Sequence, residues 1–179
     1  MSKKWETMEL LAFNRHDWLN KIQLIKWNLE LKNTEDAEGI IDEIIREAKN
    51  EAELSLLKMP KTAELLITSK WMGYPFTVDY EVLLIRKGCP QMDQCMYNWT
   101  VAFFDALSAS VNLLWENELG IAVYESGEHI RFTFDLQGKI EDRDTVETFL
   151  QSGQGVSEVE IVTFTEEELV VEIELNGLI

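Results

Sequence analysis

Asn14-Arg-His-Asp-Trp-Leu-Asn-Lys-Ile-Gln-Leu-Ile-Lys-Trp-Asn-Leu29 lies inside a longer run, Glu6 to Leu31, that holds neither proline nor glycine. Leu11, Trp18, Ile22, Ile25 and Leu29 recur through it at spacings of seven, four, three and four, the period of an amphipathic helix with one apolar seam. Asn33-Thr34-Glu35-Asp36 then supplies capping side chains and early-turn acids, and these open helices. Ile40, Ile41, Ile44, Ile45, Ala48 and Ala52 repeat the pattern as far as Pro60. A second helix is therefore expected from near Thr34 to just before Pro60. Two long helices joined by a few residues pack antiparallel as a hairpin. Each carries a stripe wider than one partner helix covers, so the predicted completion is a second hairpin from another subunit, a homodimeric four-helix bundle.

Beyond the Lys58-Met59-Pro60-Lys61 step the texture changes. Thr62 to Trp71 reads as a short helix, Phe76 to Ile85 as a strand closed by Gly88-Cys89-Pro90, and Met92 to Trp115 as a helix rich in Phe, Trp, Leu and Ala. Gly120 to Glu125 and His129 to Phe134 flank Ser126-Gly127 as a β-hairpin. Glu141 to Gln151 is expected to be helical, Gly153-Gln-Gly155 a loop, and Glu158 to Phe164 with Leu169 to Leu175 a last strand pair. The fold class is α+β, with a helical hairpin over residues 1–59 and an α/β domain over residues 60–179.

Charge narrows the function. The chain has a formal net charge of -17, which repels a phosphate backbone and argues against nucleic acid. Residues 1–32 carry six basic and four acidic side chains, leaving 10 basic and 29 acidic in the remaining 147 residues. The first helix is thus the one mildly basic region of an acidic molecule, and an anionic partner surface is steered there. No apolar run approaches the roughly 18 residues of a membrane span, and no secretory signal core opens the sequence, so a cytoplasmic protein without membrane contact is expected. Cys89 and Cys95 lack CxxC spacing and have no nearby His, so they read as free thiols.

The apolar seam of the first helix centres opposite His16 at about 100° per residue. His16 is therefore expected to face solvent, with Asn20, Gln23 and Trp27 at i+4, i+7 and i+11 on the same stripe. An exposed imidazole is nucleophilic near neutral pH and forms a phosphoramidate that is readily discharged. Asp17 could orient the ring or take its proton. Arg15 and Lys21 could offset the charge of an incoming phosphoryl group, because such transfer depends on positioning and electrostatic stabilisation. Read from spacing alone, a surface histidine on a helix is more often a solubilising residue.

The run Asn14 to Leu29, with its Arg-His-Asp-x-x-Asn core, resembles the phospho-acceptor helix of the sporulation initiation phosphotransferase B family, and a core of this kind also occurs in sensor histidine kinases. Length, hairpin and tail domain extend the resemblance over nearly the whole chain. It implies a dimeric bundle carrying the acceptor histidine, followed by a domain shaped like a degenerate histidine-kinase ATPase. By that resemblance His16 takes a phosphoryl group from the aspartyl phosphate of a single-domain response regulator. It passes the group to the receiver-domain aspartate of a sporulation transcription factor, with Arg15, Asp17, Asn20, Lys21 and Gln23 as candidates for orientation or regulator docking. The chain itself needs no cofactor, and magnesium belongs to the regulators.

A working ATPase domain of that superfamily needs an Asn-bearing helix for magnesium and Gly-rich loops that let backbone approach a nucleotide. Here the corresponding helix reads Ala102-Phe-Phe-Asp-Ala-Leu-Ser-Ala-Ser-Val-Asn112, and no Asp-x-Gly-x-Gly occurs. ATP binding is expected to be lost. The competing readings are a degenerate sensor kinase that still uses ATP and a non-catalytic dimeric scaffold that binds regulators.

Overall fold

The structure, a computed structural model, describes residues 7–83, 85–152, 155–156 and 159–176. The chain divides into two compact units, Ser2–Glu51 and Ala52–Ile179. In the first, α1 (Thr7–Glu30) and α2 (Thr34–Leu56) form the expected pair of long helices. The connection is tight because Lys32 takes the left-handed conformation at φ 61, and the Asn33 N–H returns to the Asn28 carbonyl at 2.9 Å. That six-to-one bond closes a helix end and reverses the chain within a few residues. α2 runs on past Glu51, and Leu54, Leu57 and Met59, each at most 1% exposed, join the core of the second unit.

The second unit places α3 (Pro60–Ser69), α4 (Asp93–Ser110) and α5 (Arg143–Gln151) against a five-stranded sheet. The strands are β1 (Thr77–Leu83), β2 (Glu118–Ser126), β3 (His129–Gln137), β4 (Val159–Phe164) and β5 (Glu168–Asn176), in the order β1-β2-β3-β5-β4. β1 runs parallel to β2 and the other pairings are antiparallel. Along β3 and β5 every second residue is buried, the alternation of a sheet covered on one face. Phe132, Phe134, Val171 and Ile173 meet Trp99, Phe103 and Phe104 of α4 and Val146 and Phe149 of α5 in one core. The α+β class expected from the pattern is the one found.

Two details were not visible in the pattern. Met59, the residue before α3, makes no side-chain cap, yet the orphan amides of the first turn have a partner. The Asp93 carboxylate, only 7% exposed at the start of α4, accepts from Lys61 N at 3.1 Å and Thr62 N at 2.9 Å, and also from the Thr62 hydroxyl. One carboxylate thus caps α3 from another helix and ties the two together. The second detail is a correction: α4 stops at Ser110 instead of continuing to Trp115. Val111 turns extended and bridges Ile140, and the Asn112 N–H donates to the Lys139 carbonyl at 2.8 Å. Asn117 Nδ2 then donates to the carbonyls of Pro75, Asn112 and Trp115. Helix propensity in Leu113-Leu-Trp115 is overridden by these bonds.

Smaller boundary differences follow local chemistry. α3 begins at Pro60, whose missing N–H is no loss in a first turn, and α5 begins after Asp142, which caps Thr145 N at 3.0 Å. Leu84, Gly153, Gln154 and Glu158, which fall in the expected strand, loop and final strand, lie outside the described residues. Gly88 sits where an added Cβ would meet the backbone carbonyl oxygen of Leu57 at 2.7 Å, so the chain can pass the end of α2 only with glycine there. Asp93→Ala should destabilise the protein by about 1–3 kcal/mol, since two amides and a hydroxyl lose their acceptor; thermal denaturation checks it, with Asp93→Asn expected to lose less.

Candidate phosphoacceptor site

His16 occupies the middle of α1, with its side chain 73% exposed. On a helix advancing about 100° per residue, Asn20, Gln23 and Trp27 fall within about 40° of it. Gln23 is exposed and Trp27 is 61% exposed. Phe13, one turn earlier and 39% exposed, extends the stripe at the i−3 spacing, a helical signal already present in the sequence. The site is therefore an imidazole set among amides and two aromatic rings on an exposed stripe.

The ring's two nitrogens differ. Asn20 Nδ2 lies 3.2 Å from His16 Nδ1, and Asp17 Oδ1 lies 3.8 Å from the same nitrogen. Amide oxygen and nitrogen exchange places by rotation about one torsion, so Asn20 serves either tautomer. With Asn20 donating from Nδ2 to Nδ1 the ring proton sits on Nε2; with the amide turned and Asp17 drawing the proton to Nδ1, the lone pair is on Nε2 and open to reaction.

The other predicted residues do not all gather at the ring. Arg15 and Asp17 lie about 100° to either side of His16, and Lys21 about 140° away. Lys21 Nζ stands 2.6 Å from Glu47 Oε2 and 3.5 Å from Glu43 Oε1 on α2. It clamps the hairpin and does not face the imidazole. Partial burial pulls the Lys21 ammonium pKa down, but the Glu47 and Glu43 carboxylates outweigh it and hold it above its ordinary value. Among the described residues no group of three or more His, Cys, Asp or Glu could hold a metal ion, and no helix is long and apolar enough to cross a membrane.

The chain matches two family descriptions, "Sensor kinase SpoOB-type, alpha-helical domain" over residues 1–58 and "Sporulation initiation phospho-transferase B, C-terminal" over residues 58–176. It is 31% identical over 175 residues to sporulation initiation phosphotransferase B of Bacillus subtilis (strain 168), covering 96% of this chain and 90% of that one. The chain belongs to the sporulation initiation phosphotransferase B family. It is accordingly an enzyme that transfers phosphoryl groups. Among solved structures it is similar to the Acinetobacter baumannii histidine kinase AdeS, at TM-score 0.48 and 7% identity over 90% of this chain and 97% of that one. It is also similar to the Erythrobacter litoralis EL346 blue-light activated histidine kinase, at TM-score 0.48 and 13% identity over 98% of this chain and 61% of that one.

The Lys21 clamp gives a pH signature. Because its folded pKa is raised, its stabilisation is fully present below the unfolded lysine value of about 10.4 and is lost as pH rises through the folded one. Lys21→Gln should lower helical-hairpin stability by roughly 0.5–1 kcal/mol. The gap between the parent and the variant, followed by circular dichroism in denaturant, should stay constant through neutral pH and close above it in alkali.

Proposed function

We propose that this phosphotransferase works in a phosphorelay in which His16 Nε2 takes a phosphoryl group from the aspartyl phosphate of a single-domain response regulator and hands it to the receiver-domain aspartate of a sporulation transcription factor. The observation that carries this reading is the exposed imidazole on α1, its Nδ1 turned to Asp17 and Asn20 and its Nε2 left for reaction. Nε2 attacks phosphorus, the N–P bond forms as the P–O bond to the regulator's aspartate breaks, and that carboxylate leaves. Positive charge developing on the ring is met at Nδ1 by Asp17 and Asn20. The second aspartate then attacks the same phosphorus and the imidazole departs. Nucleotide is not required, since the phosphoryl group arrives already activated, and magnesium belongs to the acidic pocket of the receiver domain. Arg15 and Gln23, exposed on either side of the ring, and Trp27 and Phe13 along it, make the docking surface.

His16→Gln should abolish transfer from a prephosphorylated single-domain regulator while leaving its binding intact; undiminished transfer sinks the proposal. Retained binding without any transfer in the parent chain identifies a scaffold, and label taken from ATP by the chain alone identifies a kinase. Asn20→Ala should slow transfer by up to about 100-fold through loss of ring orientation.

The homodimer belongs to the same proposal. Leu11, Trp18, Ile22 and Leu29 on α1 are 52%, 47%, 53% and 54% exposed, and Ile41 and Ile45 on α2 are 42% and 46% exposed. A row of this length exceeds what a monomer leaves in water, and a second hairpin covers it by two-fold symmetry. Ile22→Glu should convert the dimer into a monomer in light scattering at micromolar concentration, and a monomeric parent chain removes the dimer from the account.

A further inference from the structure

The segment Asn112-Leu-Leu-Trp-Glu-Asn117, where α4 fails to continue, is held rigidly and yet shows its apolar side chains to water. Leu113 is 75%, Leu114 98% and Trp115 55% exposed. Asn117, 4% exposed, donates to three carbonyls and accepts from Lys139 N at 2.9 Å. Asn112 Oδ1 accepts from Leu114 N at 2.7 Å while its Nδ2 donates to Glu141 at 2.6 Å. A side chain at Gly138 would collide with Asn117, so the sequence also leaves room for this scaffold. The fold gains nothing in its core from the three apolar residues, and an immobilised apolar ridge on a surface loop marks an interaction site.

The ridge has a cavity on each side. One, of about 530 Å³, lies beside Tyr74, Phe76 and Val78, and the other, of about 500 Å³, lies beside Gln137, Gly138 and Glu167; Trp115, Glu116 and Glu118 form the wall they share. Among the residues lining the two, Glu116, Glu118 and Glu167 oppose a single cation, Lys70. A second copy of this chain, at a net charge of -17, brings like charge to an acidic rim, and nucleic acid and anionic lipid do the same. The complementary surface is apolar in the middle and basic at its edges. A helix with apolar residues at i, i+3, i+4 and i+7 and Lys or Arg along both borders has that form and lies in a groove on either side of such a ridge.

We propose that the Leu113–Trp115 ridge and its flanking grooves, on the α/β unit, dock a basic-bordered amphipathic helix of a partner protein. Apolar anchors of the partner pack on Leu114 and Trp115, and its cations pair with Glu116, Glu118 and Glu167.

The test uses the full chain and a fluorescein-labelled synthetic peptide of about 18 residues, long enough to be helical, with Leu on one face and Lys on its borders, beside a twin bearing Glu in place of Lys. Anisotropy should show saturable binding of the Lys peptide with a dissociation constant of about 100 μM or tighter, weakening with salt. The L114S/W115S double variant should bind at least about tenfold more weakly, with unchanged circular dichroism and unchanged His16 phosphorylation. E116Q/E118Q should lose affinity and most of the salt dependence, and the Glu twin should not bind. Equal binding by the parent chain and L114S/W115S overturns the proposal, as does equal binding of the Glu twin or no binding of the Lys peptide at about 1 mM. A concentration-dependent association of the parent chain that L114S/W115S abolishes assigns the ridge to a second copy and overturns it as well.

Discussion

Helix α1 buries none of its residues, and in water a helix of this length draws most of its stability from packing of one face rather than from propensity. Its contact with α2 is thin: Ile25 and Asn28 are half-buried and Lys21 reaches across to Glu47. The seam of Leu11, Trp18, Ile22 and Leu29 is one face with apolar area still to bury. The helical period puts that seam opposite His16, so whatever covers the seam leaves the imidazole in water. The accessibility of the imidazole thus follows from the same periodicity that sets the seam.

The second unit answers a different demand. Its interior is closed by aromatic packing. Trp99 stacks on Phe103 with centroids 4.8 Å apart, and Phe134 and Phe149 lie at 5.3 and 5.4 Å from the same indole. The Trp99 Nε1–H has no hydrogen-bond partner among the described residues, a cost of burial that the surrounding rings offset through contact area. Asp93 works by the opposite principle, a buried carboxylate whose oxygens are fully engaged at the start of α3.

Much of this was legible in the sequence, and the exceptions share a cause. Both long helices, the hairpin around Ser126-Gly127 and the exposure of His16 follow from local periodicity, so reading residues in order recovered them. The end of α4 did not, because Leu113-Leu-Trp115 carries helix-compatible residues and the bonds that stop the helix come from Asn117, Lys139 and Ile140, distant in the chain or hidden in side-chain geometry. Asp93 was missed for the same reason, since its two amide partners lie more than a helix away in sequence. At the site, the stripe of Asn20, Gln23 and Trp27 was readable from spacing, whereas the place of Lys21 depended on which face of α1 meets α2. That choice is invisible when both faces offer apolar residues.

Charge counting also misjudges α1 unless the pairing is known. The first helix is mildly basic by composition, yet Lys21 is engaged by Glu47 and Glu43, and Lys26 stands 3.7 Å from Glu30 one turn on. Exposed pairs of that kind contribute little to stability, but each cancels a cation that could have faced an incoming phosphoryl group. Arg15 is the cation left beside His16 in sequence. In the proposed relay, His16 would therefore contribute chiefly by position: a ring with Asn20 and Asp17 beside Nδ1, presented on a helix among aromatic and amide side chains. In that relay the neutralising charge would come from the partner, which would couple the chemistry to correct docking.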